Sequence, residues 1–266
     1  MGADIKALRG RIKSVDSTLH LTTAMGLVAS SKIRRAAEAA RRAREYERAI
    51  GEAVELLCAS PVCEKSVYRQ TREQGRDCVI VIAGDRGLAG GYNANVFRLC
   101  RELTDTDFVP IGKRACDRFG DGILSSEHLT LEEASALSER LCRAFCDGEY
   151  RRIGIVRTRY VSMLSQEAVL EWILPLEKTE KKSADIVFEP DERAVLEPTV
   201  KAYVTGVIVG AVRESFLSEV AARRTAMDSA GKNAQEMIEG LQLQYNRARQ
   251  SAITQEITEI VAGSGV

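Results

Sequence analysis

The sequence is short of most of what enzymes of small molecules use. It has two histidines, His20 and His128, and neither sits in a metal-ligand spacing such as H-E-x-x-H. A Ser-His-Asp arrangement is not assembled when a base is so scarce. Aromatics make up only 5% and proline only five residues. Low proline leaves long stretches free to be helical. The 38 basic residues are balanced by 38 acidic ones, so whole-chain charge gives no support to nucleic-acid binding. The longest apolar runs, such as Val204 to Val212, are far short of the roughly 20 residues needed to span a bilayer. Membrane association is therefore expected only through a partner. Met1 to Gly10 contains no apolar signal core. Seven cysteines, an odd number, fit free thiols in a reducing compartment better than a closed disulfide framework.

What is present falls into three zones: a helix over 1–58, an α/β domain over 75–197 and a second helix over 199–266. In the first, Ile5, Leu8, Ile12, Val15, Leu19 and Thr22 are spaced 3-4-3, the seam of a helix packed lengthwise against another. From Ser30 the composition turns to Ala and Arg, which favours helix. Some 50 helical residues at about 1.5 Å each would extend roughly 75 Å. In the third zone Val220, Arg224, Met227, Gly231, Ala234, Ile238, Leu241, Tyr245, Ala248 and Ala252 repeat at 4-3-4-3 spacing. Ile253, Ile257 and Ile260 form a second apolar line, and the Gly263-Ser264-Gly265-Val266 tail is a helix stop. Two seams far apart in sequence pair most economically with each other, and the domain joining them makes that pairing antiparallel.

The middle zone alternates. Cys78 to Ala83 predicts a buried strand, followed by a helix from about Asn93 to Leu103. Strands are expected at Phe108 to Ile111, Ile153 to Val156, Val169 to Leu174 and Ile186 to Phe188. A short helix is expected near Lys113 to Phe119. Thr130 and Glu133 form a capping box for a helix reaching about Cys146, and Glu132 and Glu133 favour its dipole. The alternation points to a largely parallel sheet.

Gly84 to Gly91 follows a strand and precedes a helix, where a phosphate could sit on the helix N-terminus. The spacing is neither G-x-G-x-x-G nor a Walker loop, so a tight strand-to-helix turn is the better reading. Cys142 and Cys146 lie one helical turn apart, but without a nearby histidine they read as buried small apolar residues, not a zinc site. Lys32, Arg34, Arg35, Arg41, Arg42 and Arg44 make a solvated helix face or a surface for an acidic protein, with nucleic acid a third reading that the lack of interleaved aromatics disfavours.

Three segments then resemble one family. The run Tyr245-Asn246-Arg247-Ala248-Arg249-Gln250-Ser251-Ala252-Ile253-Thr254-Gln255-Glu256-Ile257-Thr258-Glu259-Ile260-Val261 closely resembles the C-terminal signature of ATP synthase gamma subunits. Thr23-Ala24-Met25 with Val28-Ala29-Ser30-Ser31-Lys32 resembles its N-terminal motif, and Asp85-Arg86-Gly87-Leu88 with Gly90-Gly91 its central one. The resemblance implies an antiparallel coiled coil of N- and C-terminal helices plus an inserted Rossmann-like α/β domain that binds no nucleotide. It implies a non-catalytic rotor shaft with no cofactor and no metal, turning inside a ring of three alpha and three beta subunits. Epsilon and the membrane c-ring would lie against the α/β domain, with no nucleic acid and no homo-oligomer. Met25, Lys32, Arg249, Gln250 and Thr254 correspond to positions that meet beta. Asp185 to Pro190 resembles the foot on the c-ring, with Glu189 as its contact. Ala89 replaces a common Cys, and Gly26 stands where a polar residue is frequent. The absence of a transit-like leader predicts a bacterial source, at the cytoplasmic face of the cell membrane. The competing classes are a nucleotide-binding enzyme on the central domain and an unrelated coiled-coil scaffold.

Overall fold

In the computed structural model, residues 2–60, 63, 65–177, 189 and 191–263 are described. The strand expected at Ile186 to Phe188, most of the Asp185 to Pro190 foot and the last three residues of the tail lie outside them. Helix α1 spans Gly2–Cys58. Strands and helices follow as β1 (Arg76–Ile82), α2 (Tyr92–Arg101), β2 (Thr106–Ile111), α3 (Lys113–Phe119), α4 (Leu131–Cys146), β3 (Tyr150–Tyr160), β4 (Gln166–Leu174) and α5 (Glu192–Gly263). Contacts divide the chain into two units. One is Ser30–Arg223; the other joins Met1–Ala29 to Arg224–Val266.

The larger unit is organised by β1. Cys78 to Ala83 have no exposed surface, because both faces of the strand are covered. Cys78, Ile80 and Ile82 point into a core with Leu137, Leu141 and Phe145 of α4 and Val200, Val204 and Ile208 of α5. Val79, Val81 and Ala83 point the other way, onto Val96 and Cys100 of α2 and Ala115 of α3. This period of two with apolar residues on both faces is the pattern of a central strand. The sheet order is β2-β1-β3-β4. β1 runs parallel to β2 and β3, whereas β4 runs antiparallel to β3, so the sheet is mixed. A turn at Val161 to Ser165 joins β3 to β4 directly, with Val161 N–H and Ser162 N–H both bonded to the Ser165 carbonyl. A connection that short permits only an antiparallel return.

The Thr130–Glu133 capping box is present, with both of its hydrogen bonds, and α3 and α4 end where the sequence places them. The last helix does not begin at Thr199: it starts at Glu192 and passes through Pro198. Asp191 caps it, its carboxylate accepting from the Ala194 N–H at 2.9 Å. Pro198 is the seventh residue of the helix, past the first turn, and its missing N–H leaves the Ala194 carbonyl without its usual donor. Within α5 an 18-residue window reaches a mean hydropathy of 1.4, apolar and long enough by composition to cross a membrane, but 56% of it is buried in the protein. It is a core helix, and the Val204 to Val212 run is covered nearly all round.

In the smaller unit, all six N-terminal seam positions from Ile5 to Thr22 are at least half-buried. On α5 the seam from Met227 to Ala252 behaves alike, with Met227, Ala234, Ile238 and Leu241 buried. The Arg9 guanidinium donates to the Tyr245 hydroxyl at 2.8 Å and lies over its ring. A Cβ added at Gly231 would stand 3.7 Å from Thr22 Oγ1. Gly26 is buried, and a Cβ there would lie 3.2 Å from Arg224 Nη1 and 3.6 Å from Met227 Cβ. The glycine's helix cost of about 1 kcal/mol is thus offset by close approach.

Candidate functional site

The parallel strands β1 and β3 end at one edge of the sheet, where ligands bind in many open α/β folds. Here that edge is held by side chains of the same chain. The Asp85 carboxylate accepts from the Ser125 hydroxyl at 2.7 Å and the Ser126 N–H at 2.8 Å, and from the N–H groups of Glu127 and Lys113 at 3.2 and 3.3 Å. Burial would raise its pKa, but these donors outweigh burial and hold it below the usual carboxylate range. One residue thereby ties the turn after β1 to the loops after β2. Gly112, at φ 95°, allows the same closeness: a Cβ there would fall 2.0 Å from the Ala83 carbonyl oxygen.

Gly84 decides what the turn can hold. A Cβ on it would meet the Glu219 carboxyl carbon at 2.7 Å, so the position beside this glycine is filled by a carboxylate from α5. Glu219 is buried and paired with Arg223, whose guanidinium also donates to the Gly87 carbonyl at 3.3 Å. Burial raises the Glu219 pKa and Arg223 pulls it back only in part. A phosphate at Gly84 would face that carboxylate, so the geometry favours a structural turn over an anion cradle.

A second charged cluster lies beside it. The nearly buried Arg157 guanidinium reaches Glu171 at 2.7 Å and Glu47 and Glu214 at 3.5 Å. Burial disfavours its charge, but the three carboxylates overcome that and raise its pKa. Burial likewise raises Glu47 despite Arg157. Neither cluster was read from the sequence. The interruption of the apolar run by Glu214-Ser215-Phe216-Leu217-Ser218-Glu219 is the signal that points to both.

The basic stretch of α1 is mostly matched internally. Lys32 donates to Glu127 at 2.5 Å, Arg34 pairs with Glu38, Arg41 with Glu45 and Arg44 with Glu214. Arg35 and Arg42 are exposed. A solvated helix face therefore accounts for most of it.

The other expected contact residues sit on helices. Met25 is half-buried. Arg249, Gln250 and Thr254 are exposed on one stretch of α5, while their neighbours Ala248 and Ala252 are half-buried. The Thr254 hydroxyl donates to the Gln250 carbonyl at 3.0 Å. Glu189 is exposed. All seven cysteines are free thiols. Cys142 is buried as expected but Cys146 is exposed, because it is the last residue of α4.

The chain is thus a mixed sheet whose ligand edge is closed by its own carboxylates, with one long helix before it in the sequence and another after it. The family described as ATP synthase matches residues 4–265. The ATP synthase gamma chain, sodium ion specific, of Acetobacterium woodii is 36% identical over 298 residues and 99% of each chain is covered. The gamma chain of Ruminococcus albus is 38% identical, covering 98% of each. Among solved structures, the rotor of the Euglena gracilis mitochondrial ATP synthase matches with a TM-score of 0.71 at 20% identity, covering 95% of this chain and 100% of that one. That likeness concerns the fold. This chain belongs to the ATP synthase gamma-chain family.

Proposed function

We propose that this chain is the central rotor shaft of an F-type ATP synthase, transmitting rotation between a membrane c-ring and a catalytic ring of three alpha and three beta subunits. The observation that carries the reading is the match to gamma chains over nearly the whole length. Its three parts are the helix 1–58, a Rossmann-like domain, and the last helix, which begins at Glu192, paired with the first as an antiparallel coiled coil. Contacts within each unit support that pairing. Arg9 meets Tyr245 and Gly26 meets Met227 in one; a Cβ on Gly210 would touch Glu47, and one on Gly206 would touch Ile50, in the other. Numbers rise along α1 as they fall along α5.

Such a shaft is asymmetric inside a ring with threefold pseudosymmetry. Each beta subunit meets a different face, and differential contacts bias each toward a different nucleotide affinity. Catalysis belongs to beta, and this chain is non-catalytic; the Glu219 carboxylate at Gly84 supports that assignment over a nucleotide-binding enzyme. Arg249, Gln250 and Thr254 meet acidic beta loops through charge-assisted bonds, aided by Met25 and Lys32. Lys32 would have to share its ammonium with Glu127. Epsilon and the c-ring meet the α/β domain, Glu189 at the latter, and the complex stands on the cytoplasmic face of a bacterial membrane.

The test is reconstitution with alpha and beta. The full chain is expected to co-purify with them and support ATP synthesis in the complete enzyme, while a chain truncated before Tyr245 assembles poorly and loses synthesis. Normal assembly and synthesis by the truncated chain would reject the C-terminal contacts. Saturable ATP binding by the isolated chain would favour the enzyme reading instead.

A further inference from the structure

The geometry points to residues 214–223 of α5 as the torque-bearing joint between the sheet and the shaft helix, with Ser215 and Ser218 as its positioning residues. This inference rests on the rotor reading. Pairing of β1 with β3 ends at Val81 and Val156, but β3 continues to Tyr160, paired only with β4. Beyond Val156 the backbone groups of β3 on the β1 side need partners. Helix α5 supplies them in place of a strand. Ser215 Oγ accepts from the Thr158 N–H at 3.0 Å, and Ser218 Oγ donates to the Thr158 carbonyl at 3.1 Å. Glu214 accepts from the Tyr160 N–H at 3.4 Å and from Arg44 at 2.8 Å. One and two turns further along the same helix, Glu219 fills the space at Gly84 and Arg223 donates to the Gly87 carbonyl.

These positions form two adjacent rows, 214 with 218 and 215 with 219 and 223, on one side of the helix. Thr158, Glu214, Ser215, Ser218 and Glu219 are all buried. Apolar packing is non-directional and by itself resists sliding or rolling of a helix weakly. Hydrogen bonds from helix side chains to a strand backbone depend on distance and angle, so they fix both the register and the rotation of α5 on the sheet. Ala and Leu at 215 and 218 would fill the same space but leave the buried Thr158 N–H and carbonyl unpaired. The two serines satisfy that backbone, and because their bonds are directional they are assigned to torsional stiffness as well, the property a shaft needs where its load enters.

The test uses the assembled alpha-beta-gamma complex with the ring immobilised and a bead attached through the exposed thiol of Cys146, on the sheet-bearing unit. Angular fluctuation of the bead during pauses reports the compliance between that unit and the ring. In the Ser215→Ala/Ser218→Ala chain we expect the angular variance to rise by about two-fold or more, since two directional bonds are lost. The ATP hydrolysis rate should stay unchanged, and ions pumped per ATP in the complete synthase should fall. Ser215→Thr/Ser218→Thr, which keeps both hydroxyls, should restore the stiffness. Unchanged variance in the alanine chain, or a threonine chain as compliant as it, would overturn the assignment. Should the double variant fail to assemble, Ser218→Ala alone removes only the Thr158 carbonyl's donor, and an unchanged variance there would also overturn it. A wild-type chain that neither assembles nor turns the bead would instead remove the rotor reading, and this joint with it.

Discussion

The two units of the chain bury their apolar residues in different ways. In the unit of residues 30–223, Ile80, Ile82, Ile111, Ile153, Ile155 and Phe145 have no exposed surface. In the unit formed by 1–29 with 224–266, the best-covered seam residues, Ala234, Met227, Ile238 and Leu241, keep 5–7% exposure. Leu21, Leu27, Leu243, Ile257 and Ile260 are 53–70% exposed. A helix pair has only one inward stripe per helix, so apolar residues off that stripe are left to solvent or to partners. The first unit is built to sustain itself. The second leaves much of its apolar surface outside any core, as the proposed shaft inside a ring requires.

The largest effect that sharpens this contrast is expected at Gly112. Gly112→Val places a branched side chain at φ 95° against the Ala83 carbonyl, and more than about 4 kcal/mol of stability should be lost. Circular dichroism of the purified chain should show the sheet-bearing unit unfolded at room temperature. Next, Ile80→Ala should cost about 3 kcal/mol in denaturant titration, whereas Ile257→Ala should change the isolated chain by less than about 0.5 kcal/mol. Equal losses at the two sites would break the comparison.

A smaller effect concerns Asp77. Burial would raise its pKa, but hydrogen bonds from Arg151 and Arg152 at 2.6 and 2.7 Å prevail and hold it at about 2. Its pKa is depressed in the folded chain, so its contribution is fully present above the unfolded value of about 3.9. It is lost as pH falls through about 2. Asp77→Asn should lower stability at neutral pH and flatten the fall between pH 4 and 2 in acid melts; an unchanged acid profile would contradict the pairing. The smallest structural effect is expected at Arg249. Arg249→Ala should leave the melting temperature of the isolated chain unchanged while lowering ATP synthesis by the assembled enzyme. A double-mutant cycle with an acidic beta residue that shows no coupling would reject the contact.

How much of this was readable depends on how local the signal is. The 3-4 spacing from Ile5 to Thr22 and from Val220 to Ala252, the Thr130 capping box and the β-branched run at Cys78 each record a local period, and each appears where expected. The antiparallel β4 did not show itself, because an apolar run reads alike in either direction. The start at Glu192 was hidden by Pro198, a breaker by local rules that α5 tolerates near its first turns. The contacts of Glu214, Ser215, Ser218 and Glu219 were hidden for a different reason. Their partners, Thr158 and Gly84, lie more than fifty residues away in sequence, so nothing near them announces why serines interrupt a core helix. The motif at the C-terminus was legible only by resemblance; its exposed Arg249 and Gln250 have no role in the isolated chain.

Rotation itself tests the shaft most directly. With the alpha-beta ring fixed to a surface and a bead on Cys146, added ATP should turn the bead continuously in one direction, pausing at three angles per revolution. Steady ATP hydrolysis by the same complexes with the bead held at one angle would contradict the account.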